Sequence, residues 1–359
     1  MPTPVTWGPG REQEFVSWIT AELDRAIADR SSLETTWRDR LDQYRAPSST
    51  ELKHFPFEGA SNRTVPVTAM NVDPLVARFM TTYHAPPNLW TLQALNERWV
   101  KLAKPLQDYL QYLDSTVLRM WDVDYRAVLE LIKLGTCIYK HGWLFERRPA
   151  WSYDADGKLA RSTKVLSRPF ADHVRLIDFI IPPASYAIQP DDQGGAPWVA
   201  ERLQLRLDQF LARATGQDPF LPNYGKDAVA TVKRFQEQKR DTVQAQVDTL
   251  EGYTPSRWQM IDLHEVHARY DCAGTGQVDD IVAILHLGSR PLLRAPLNYY
   301  AHGERPYEVA RYFRSDGFYG IGVCEQMEMF QAEISDLSNF HNDNVMLRNS
   351  LTLAVNIGA

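Results

Sequence analysis

The sequence predicts a fold of the α+β class, in which helices and strands occupy separate stretches of the chain. In the N-terminal part, apolar residues such as Phe15, Ile19 and Leu23 recur at helical spacing. Between 258 and 314, polar and apolar residues alternate instead, as they do in half-buried strands. A further helical stretch, 323–347, follows. Such segregated runs of helix and strand are typical of α+β proteins.

Five helices are predicted before residue 135. Residues 11–44 form two helices, with Ser31 or Ser32 as the N-cap of the second. Asp73 caps the next helix and Pro74 takes its first position, where the missing N–H costs nothing. Residues 98–134 form two more helices that are broken near Asp122, and Gly135 provides a C-terminal cap.

The remaining elements follow from alternation, turn residues and helical spacing. Residues 137–145 alternate as a strand, 154–157 form a hairpin turn, and 176–183 form a buried strand. Helices are expected at 207–214 and 323–347, with a polar helical stretch at 226–250. The region 258–314 supplies three or more strands, and the last nine residues form another.

Composition narrows the possible classes of protein. The 359 residues carry a formal net charge of −6 without a block of like charges, which argues against a conventional nucleic-acid-binding module. Three scattered cysteines suggest neither a disulfide framework nor a metal cluster. No apolar run reaches the length of a bilayer span, and no signal peptide is evident. We therefore expect synthesis in a cytoplasm.

Motifs that could carry catalysis are weak. His264 and His267 are separated by two residues on a predicted strand, so they would face opposite sides rather than share a metal. The glycines of 320–322 lack the rest of a dinucleotide fingerprint, and no phosphate-binding loop is present. The acid pairs 191–192 and 279–280 fit ordinary turns. On this basis we expect no catalytic residue, no metal site and no cofactor, and a protein that is not an enzyme.

Three segments together resemble the portal proteins of tailed double-stranded DNA bacteriophages. They are FPFEGASNRTVPV at 55–67, LIKLGTCIYKHGW at 131–143 and GFYGIGVCEQMEMFQAEISDLSNFHNDN at 317–344. None is as specific as a zinc-ligand motif, but their order covers most of the chain.

The resemblance implies a subunit with a helical wing, a long stem helix and a β-rich, clip-like region. The implied division is 1–215 as wing, 216–257 as a polar helical connector or first stem segment, 258–314 as clip-like region, 315–350 as stem helix and 351–359 as the start of a tunnel or wing segment. The rest of the family fold would lie beyond this sequence.

The resemblance also implies a function and partners. The subunits would form a ring, usually of twelve, at one capsid vertex of the virion, through which DNA is packaged and ejected. The implied partners are the major capsid protein, the terminase, head–tail adaptor or tail proteins, and duplex DNA that passes without sequence-specific binding. Two alternatives stay open: a metal-dependent hydrolase or nuclease of the same DNA pathway, and another virion structural protein.

Candidate residues cluster around the helix 323–347. If the helix packs on neighbouring subunits, its apolar stripe of Met327, Phe330, Ile334 and Leu337 makes that contact. The opposite face would approach the channel through Glu325, Glu328, Asp336, Asn339 and Asp343. Gly320 and Gly322 are candidates for a hinge before the helix, through positive φ or close packing. The apolar helices also predict a closed oligomer with heterologous contacts.

Overall fold

The computed structural model describes residues 4–47, 53–54, 57–85, 91–153, 158–214, 223–236, 260–300 and 303–349. Helices dominate both ends of this part of the chain and strands dominate its middle, so the α+β class is confirmed. The predicted turn at 154–157 and the predicted strand at 351–359 lie outside the described residues.

Helix α1 runs without interruption from Arg11 to Arg45, so the prediction of two helices is wrong. Across the predicted break, Arg30 forms an ion pair with Glu34 at 2.7 Å, one helical turn away. The hydroxyl of Thr35 donates to the carbonyl of Ser31 at 3.1 Å, so Ser31 serves the helix interior and not a cap. Burial of residues on both sides of this point holds the helix continuous.

Helix α2 spans Val67–His84, and the predicted start at Asp73 and Pro74 is wrong because Pro74 lies inside the helix. An internal proline costs a helix about 3 kcal/mol. Val72, Val76 and Met80 recur at four-residue steps and are buried against residues of the neighbouring helices. We attribute the tolerance of Pro74 to this tertiary packing.

The next two helices are α3, Val100–Tyr112, and α4, Met120–Leu134. A short 3-10 turn, Glu97–Trp99, precedes α3, and a π-helical turn, Leu113–Leu118, follows it. The break falls at Arg119, whose φ is 53°, close to the predicted break near Asp122. Gly135 ends α4 with a φ of 86°, which confirms the predicted cap.

Two antiparallel sheets form the middle of the molecule. The three-stranded sheet has the order β2-β1-β8, and the five-stranded sheet has the order β3-β4-β5-β6-β7. The strands are β1 Thr136–Tyr153, β2 Leu159–Val174, β3 Phe179–Ile180, β4 Trp198–Arg206, β5 Met260–Tyr270, β6 Asp279–Leu285, β7 Leu292–Arg294 and β8 Tyr307–Arg311. The predicted strand at 176–183 is reduced to β3, because a 3-10 turn takes its first residues.

Three further helices complete the described structure: α5 Leu207–Ala212, α6 226–236 and α7 Val323–Asn349. The predicted β-rich region and the long helix after it are both present. However, β5–β7 pair with β3 and β4, and β8 pairs with β1. Each sheet therefore joins strands from both sides of the division expected at 216–257, and that division stays a prediction.

Helix α1 connects separate parts of the hydrophobic core. Its first half places Phe15, Ile19 and Leu23 on the five-stranded sheet. Its second half places Trp37 in a cluster that also contains Ile138 of β1. None of the described helices is both long and apolar enough to cross a membrane.

Candidate functional site

The inner face of α7 is polar, and it binds the segment 61–68 through hydrogen bonds. Four buried side chains recur at four-residue steps, and we call them the polar ladder: Gln331, Ser335, Asn339 and Asp343. Because residues four apart share one face of a helix, the four side chains form a continuous row. Polar groups in this position are stable only when they have partners.

Each member of the polar ladder has such a partner. The backbone N–H of Thr68 donates to Oε1 of Gln331 at 2.8 Å, and that of Val65 donates to Oγ of Ser335 at 3.1 Å. The amide of Asn339 both accepts from the N–H of Arg63 at 2.9 Å and donates to the carbonyl of Arg63 at 3.0 Å. The N–H of Ser61 donates to Oδ1 of Asp343 at 2.7 Å.

A polar cavity of about 580 Å³ lies beside this ladder, between α1, α7 and the segment 61–64. Its volume falls within the range of small-molecule sites, roughly 300–1,000 Å³. Polar and charged side chains dominate the lining, which comprises Thr36, Asp39, Arg40, Gln43, Lys53, Asn62, Arg63, Thr64, Glu328, Gln331, Ala332, Ser335, Asp336 and Asn339.

Arg40, Lys53 and Arg63 bring three positive charges to the cavity. The side chain of Arg40 is only 12% exposed and forms an ion pair with Glu325 at 2.9 Å. Its Nε is buried and has no hydrogen-bond partner among the described residues. A buried guanidinium with a free donor suits an anion, because guanidinium groups bind carboxylate and phosphate oxygens in pairs.

The residues expected to face a channel do not share one environment. Glu328 and Asp336 are exposed and line the cavity, whereas Glu325 is held by Arg40. The structure contradicts an outward position for Asn339 and Asp343, which are buried in the polar ladder. They face inward because the backbone of 61–63 offers them partners, which helical periodicity in the sequence could not show.

The residues expected to pack on a neighbouring subunit point away from this cluster. Met327 is partly buried and packs on the core between α2, α4 and α7. Phe330, Ile334 and Leu337 are exposed in the isolated chain. Their contact with another subunit stays a prediction.

Gly320 and Gly322 are packed closely and neither has a positive φ. A Cβ on Gly320 would collide with the carbonyl oxygens of Gly135 and Phe313, and one on Gly322 would collide with that of Lys133. The structure thus supplies the close packing that was expected, while a hinge at these glycines stays a prediction.

A second polar cluster, which sequence reasoning missed, lies between the two sheets. Nζ of Lys140 is 2.5 Å from Glu201 and 2.7 Å from Glu265, and the hydroxyl of Tyr307 donates to Glu201 at 2.8 Å. Burial favours the neutral forms, but the two carboxylates raise the pKa of Lys140 above its ordinary value. Burial likewise opposes ionisation of Glu265, yet Lys140 and His267 lower the pKa of that carboxyl.

The charges of this second cluster are mutually compensated. Buried charges that are paired in this way are usual in protein interiors. The sequence alone carries no signal for this cluster, because the pairing of Glu201 with Glu265 becomes visible only once the register of β4 and β5 is known. We therefore assign it a structural role.

The residues of the weak motifs are buried or form ion pairs. His264 and His267 are both buried, and Nε2 of His267 lies 3.3 Å from Glu265. Asp191 and Asp280 both bind Arg269, at 2.6 and 3.0 Å, so these acids form ion pairs as well as turns. Within the described ranges, no group of three or more His, Cys, Asp and Glu side chains could hold a metal ion.

Comparison with known proteins gives a likeness to an enzyme. The chain is 32% identical over 132 residues to the 7-methyl-GTP pyrophosphatase of Burkholderia lata. The matched segment covers 34% of this chain and 59% of the relative, so the chain spans less than two thirds of the relative's length. No family model matches the chain.

This likeness corrects two predictions. The expected function as a portal subunit is contradicted, and so is the expectation that the protein is not an enzyme, because the matched relative is a nucleotide pyrophosphatase. Those predictions relied on the order of three short segments and on weak catalytic motifs, neither of which is specific. No finding bears on the family resemblance itself, or on the partners and virion location that it implies, and these stay predictions.

Proposed function

We propose that this chain is a hydrolase that acts on the phosphate groups of a nucleotide. The observation that carries the proposal is the 32% identity to a 7-methyl-GTP pyrophosphatase, whose name gives a nucleoside triphosphate as its substrate. The cavity between α1, α7 and the segment 61–64 is the site in the described structure that suits such a ligand, because it combines positive charge with sufficient volume.

The positive side chains of the cavity would hold the phosphates. Arg63 is exposed at its edge, Lys53 lies nearby, and Arg40 offers a buried Nε–H that lacks an acceptor. Charge-assisted hydrogen bonds to phosphate oxygens are about twice as strong as neutral ones. Since Arg40 is already fixed by Glu325, it would bind without a large loss of side-chain entropy.

Hydrolysis needs a base and a water molecule. Asp39 and Asp336 are exposed carboxylates of the same cavity, and either could accept the proton of an attacking water. The water oxygen would then form a bond to phosphorus, the bond to the bridging oxygen would break, and pyrophosphate would leave. Arg40 and Arg63 would stabilise the negative charge that develops on the phosphate oxygens.

The test is pyrophosphate release by the purified chain from 7-methyl-GTP, with GTP and ATP as comparison substrates. The Arg63→Ala variant should lower kcat/KM about 10- to 100-fold, the usual effect of losing a hydrogen bond to a charged group. Arg25→Ala is the matched control, because Arg25 is an exposed arginine on α1 outside the cavity. It should retain full activity.

Two results would overturn the proposal. The first is the absence of release above background from all three nucleotides. The second is release that Arg63→Ala and Arg25→Ala leave equally intact, since that would separate the activity from this cavity.

A further inference from the structure

The segment that carries Arg63 has no secondary structure of its own to hold it. Residues 61–66 lie between Ala60 and α2 and form neither helix nor strand. Arg40, which also lines the cavity, lies instead on α1 and is held there by Glu325. Irregular backbone keeps its conformational freedom unless other groups bind its N–H and C=O groups. The place of Arg63 at the cavity therefore depends on contacts from outside the segment.

Asn339 of α7 provides such contacts for Arg63 itself. Its Oδ1 accepts the backbone N–H of Arg63 at 2.9 Å, and its Nδ2 donates to the backbone carbonyl of the same residue at 3.0 Å. The hydroxyl of Ser61 lies 2.8 Å from the same Oδ1. Because Asn339 is only 5% exposed and belongs to a helix, its amide is a fixed point to which the backbone of Arg63 is attached.

This pairing needs the carboxamide group. A side chain that binds both the N–H and the C=O of one residue must accept and donate at neighbouring atoms, which asparagine and glutamine can do. The other three members of the polar ladder each bind one N–H group of the segment 61–68, those of Ser61, Val65 and Thr68. These three residues lie outside the cavity lining. Asn339 is therefore the member of the ladder that holds a cationic residue of the lining.

We infer that Asn339 is a positioning residue for Arg63. By holding the backbone of Arg63 through two hydrogen bonds, it fixes the direction from which the guanidinium group reaches a phosphate group in the cavity. The inference rests on the proposed function, because it requires that phosphate groups bind there. Asn339 acts through Arg63, so its effect on the ligand should appear only while Arg63 retains its guanidinium group.

The test is a double-mutant cycle on the full chain, with Asn339→Ala, Arg63→Ala and both together. Calorimetry measures the Kd for a GTP analogue in which a methylene group replaces the oxygen between the α- and β-phosphates. Asn339→Ala should raise this Kd about 10-fold, since a misplaced guanidinium group loses most of its charge-assisted hydrogen bond. In the Arg63→Ala background the same substitution should raise it less than about 2-fold, because the guanidinium group is already absent.

Two further variants separate positioning from stability. Asp343→Ala is the matched control, because Asp343 is an equally buried member of the polar ladder but holds Ser61, which lies outside the cavity lining. It should lower the Tm, as Asn339→Ala does, and leave the Kd unchanged. Asn339→Asp keeps the acceptor for the N–H of Arg63 and loses the donor to its carbonyl. Its Kd should lie between those of the unmodified chain and Asn339→Ala, and it replaces the alanine variant in the cycle should that variant not fold.

The outcomes distinguish this inference from the function on which it rests. If the unmodified chain does not bind the analogue, the proposed function fails and the inference fails with it. If the chain binds the analogue and Arg63→Ala weakens binding, the proposed function stands, and the cycle then decides the role of Asn339. An unchanged Kd for Asn339→Ala, or an equal effect of that substitution with and without the guanidinium group of Arg63, would overturn the inference alone.

Discussion

His264 is buried on β5, and its Nδ1 has no hydrogen-bond partner among the described residues. Burial lowers its pKa to about 4, against the smaller opposing effect of Asp262. The unfolded chain, with a pKa near 6.5, then binds protons that the folded chain does not. The histidine therefore destabilises the fold as pH falls from about 6.5 to about 4, by roughly 3 kcal/mol in all.

Urea unfolding between pH 7 and pH 4 measures this effect. The His264→Gln variant should lose stability less steeply over that range, whatever its stability at pH 7. Some slope should persist, because burial also lowers the pKa of His267. Equal slopes for the two proteins would show that His264 is not kept neutral by the fold.

Lys140 compensates two buried carboxylates, so its removal should be costly. Lys140→Met leaves Glu201 and Glu265 without their cation and should lower the free energy of unfolding by about 3–5 kcal/mol at pH 7. Adding Glu201→Gln and Glu265→Gln to this variant should recover much of the loss, because no uncompensated charge then remains. Denaturant titration of the three proteins checks both steps, and an unaffected single variant would contradict the assigned role.

At the scale of the element, the glycines before α7 determine how closely it approaches the end of α4. Gly320→Ala should lower the free energy of unfolding by about 1–3 kcal/mol, since the added Cβ meets the backbone of Gly135 and Phe313. Gly317→Ala is the matched control, because no atom lies within 4 Å of a Cβ placed there. Thermal unfolding of both variants should show a lower Tm for Gly320→Ala alone.

The same region shows what sequence can and cannot predict about an element. Alternating three- and four-residue spacing located α7 almost to the residue. It also identified Phe330, Ile334 and Leu337 as one stripe, and these side chains are exposed in the single chain. Periodicity could not show that the polar face of α7 is buried, because Gln331 and Asn339 look like a solvated face until the backbone of 61–68 is known to bind them.

The predicted helix boundaries were wrong where tertiary packing outweighed the local preference of a residue for a helix end. Pro74 looked like a helix start, and the two serines at 31–32 looked like a cap, yet both lie inside helices. The polar cavity could not be predicted either, since its lining comes from α1, α7, Lys53 and the segment 62–64, which only the tertiary fold brings together. The predicted C-terminal cap at Gly135 is confirmed, because the positive φ that such a cap requires depends on the local backbone alone.

For the whole molecule, α1 is the helix that contributes residues to two separate parts of the hydrophobic core. Its 35 residues span about 52 Å and contribute to the core of the five-stranded sheet as well as to the cluster around Trp37. We expect these cores to unfold together because one rigid helix joins them.

Asp29→Pro tests this coupling, since Asp29 is exposed near the centre of α1 and proline breaks a helix interior. Unfolding curves measured by tryptophan fluorescence and by far-ultraviolet circular dichroism should coincide for the unmodified chain and separate for the variant. Asp29→Ala, which preserves the helix, should behave like the unmodified chain. Coincident curves for Asp29→Pro would show that the cores are coupled by other contacts.

The two faces of α7 should respond differently to temperature. The inner face is held by hydrogen bonds of the polar ladder, whereas the outer face offers apolar surface. Apolar association weakens on cooling, because its driving force near room temperature is almost entirely entropic. Hydrogen bonds do not share that dependence. In the cold, α7 should therefore stay attached to its own chain, while any contact made through its exposed apolar residues loosens.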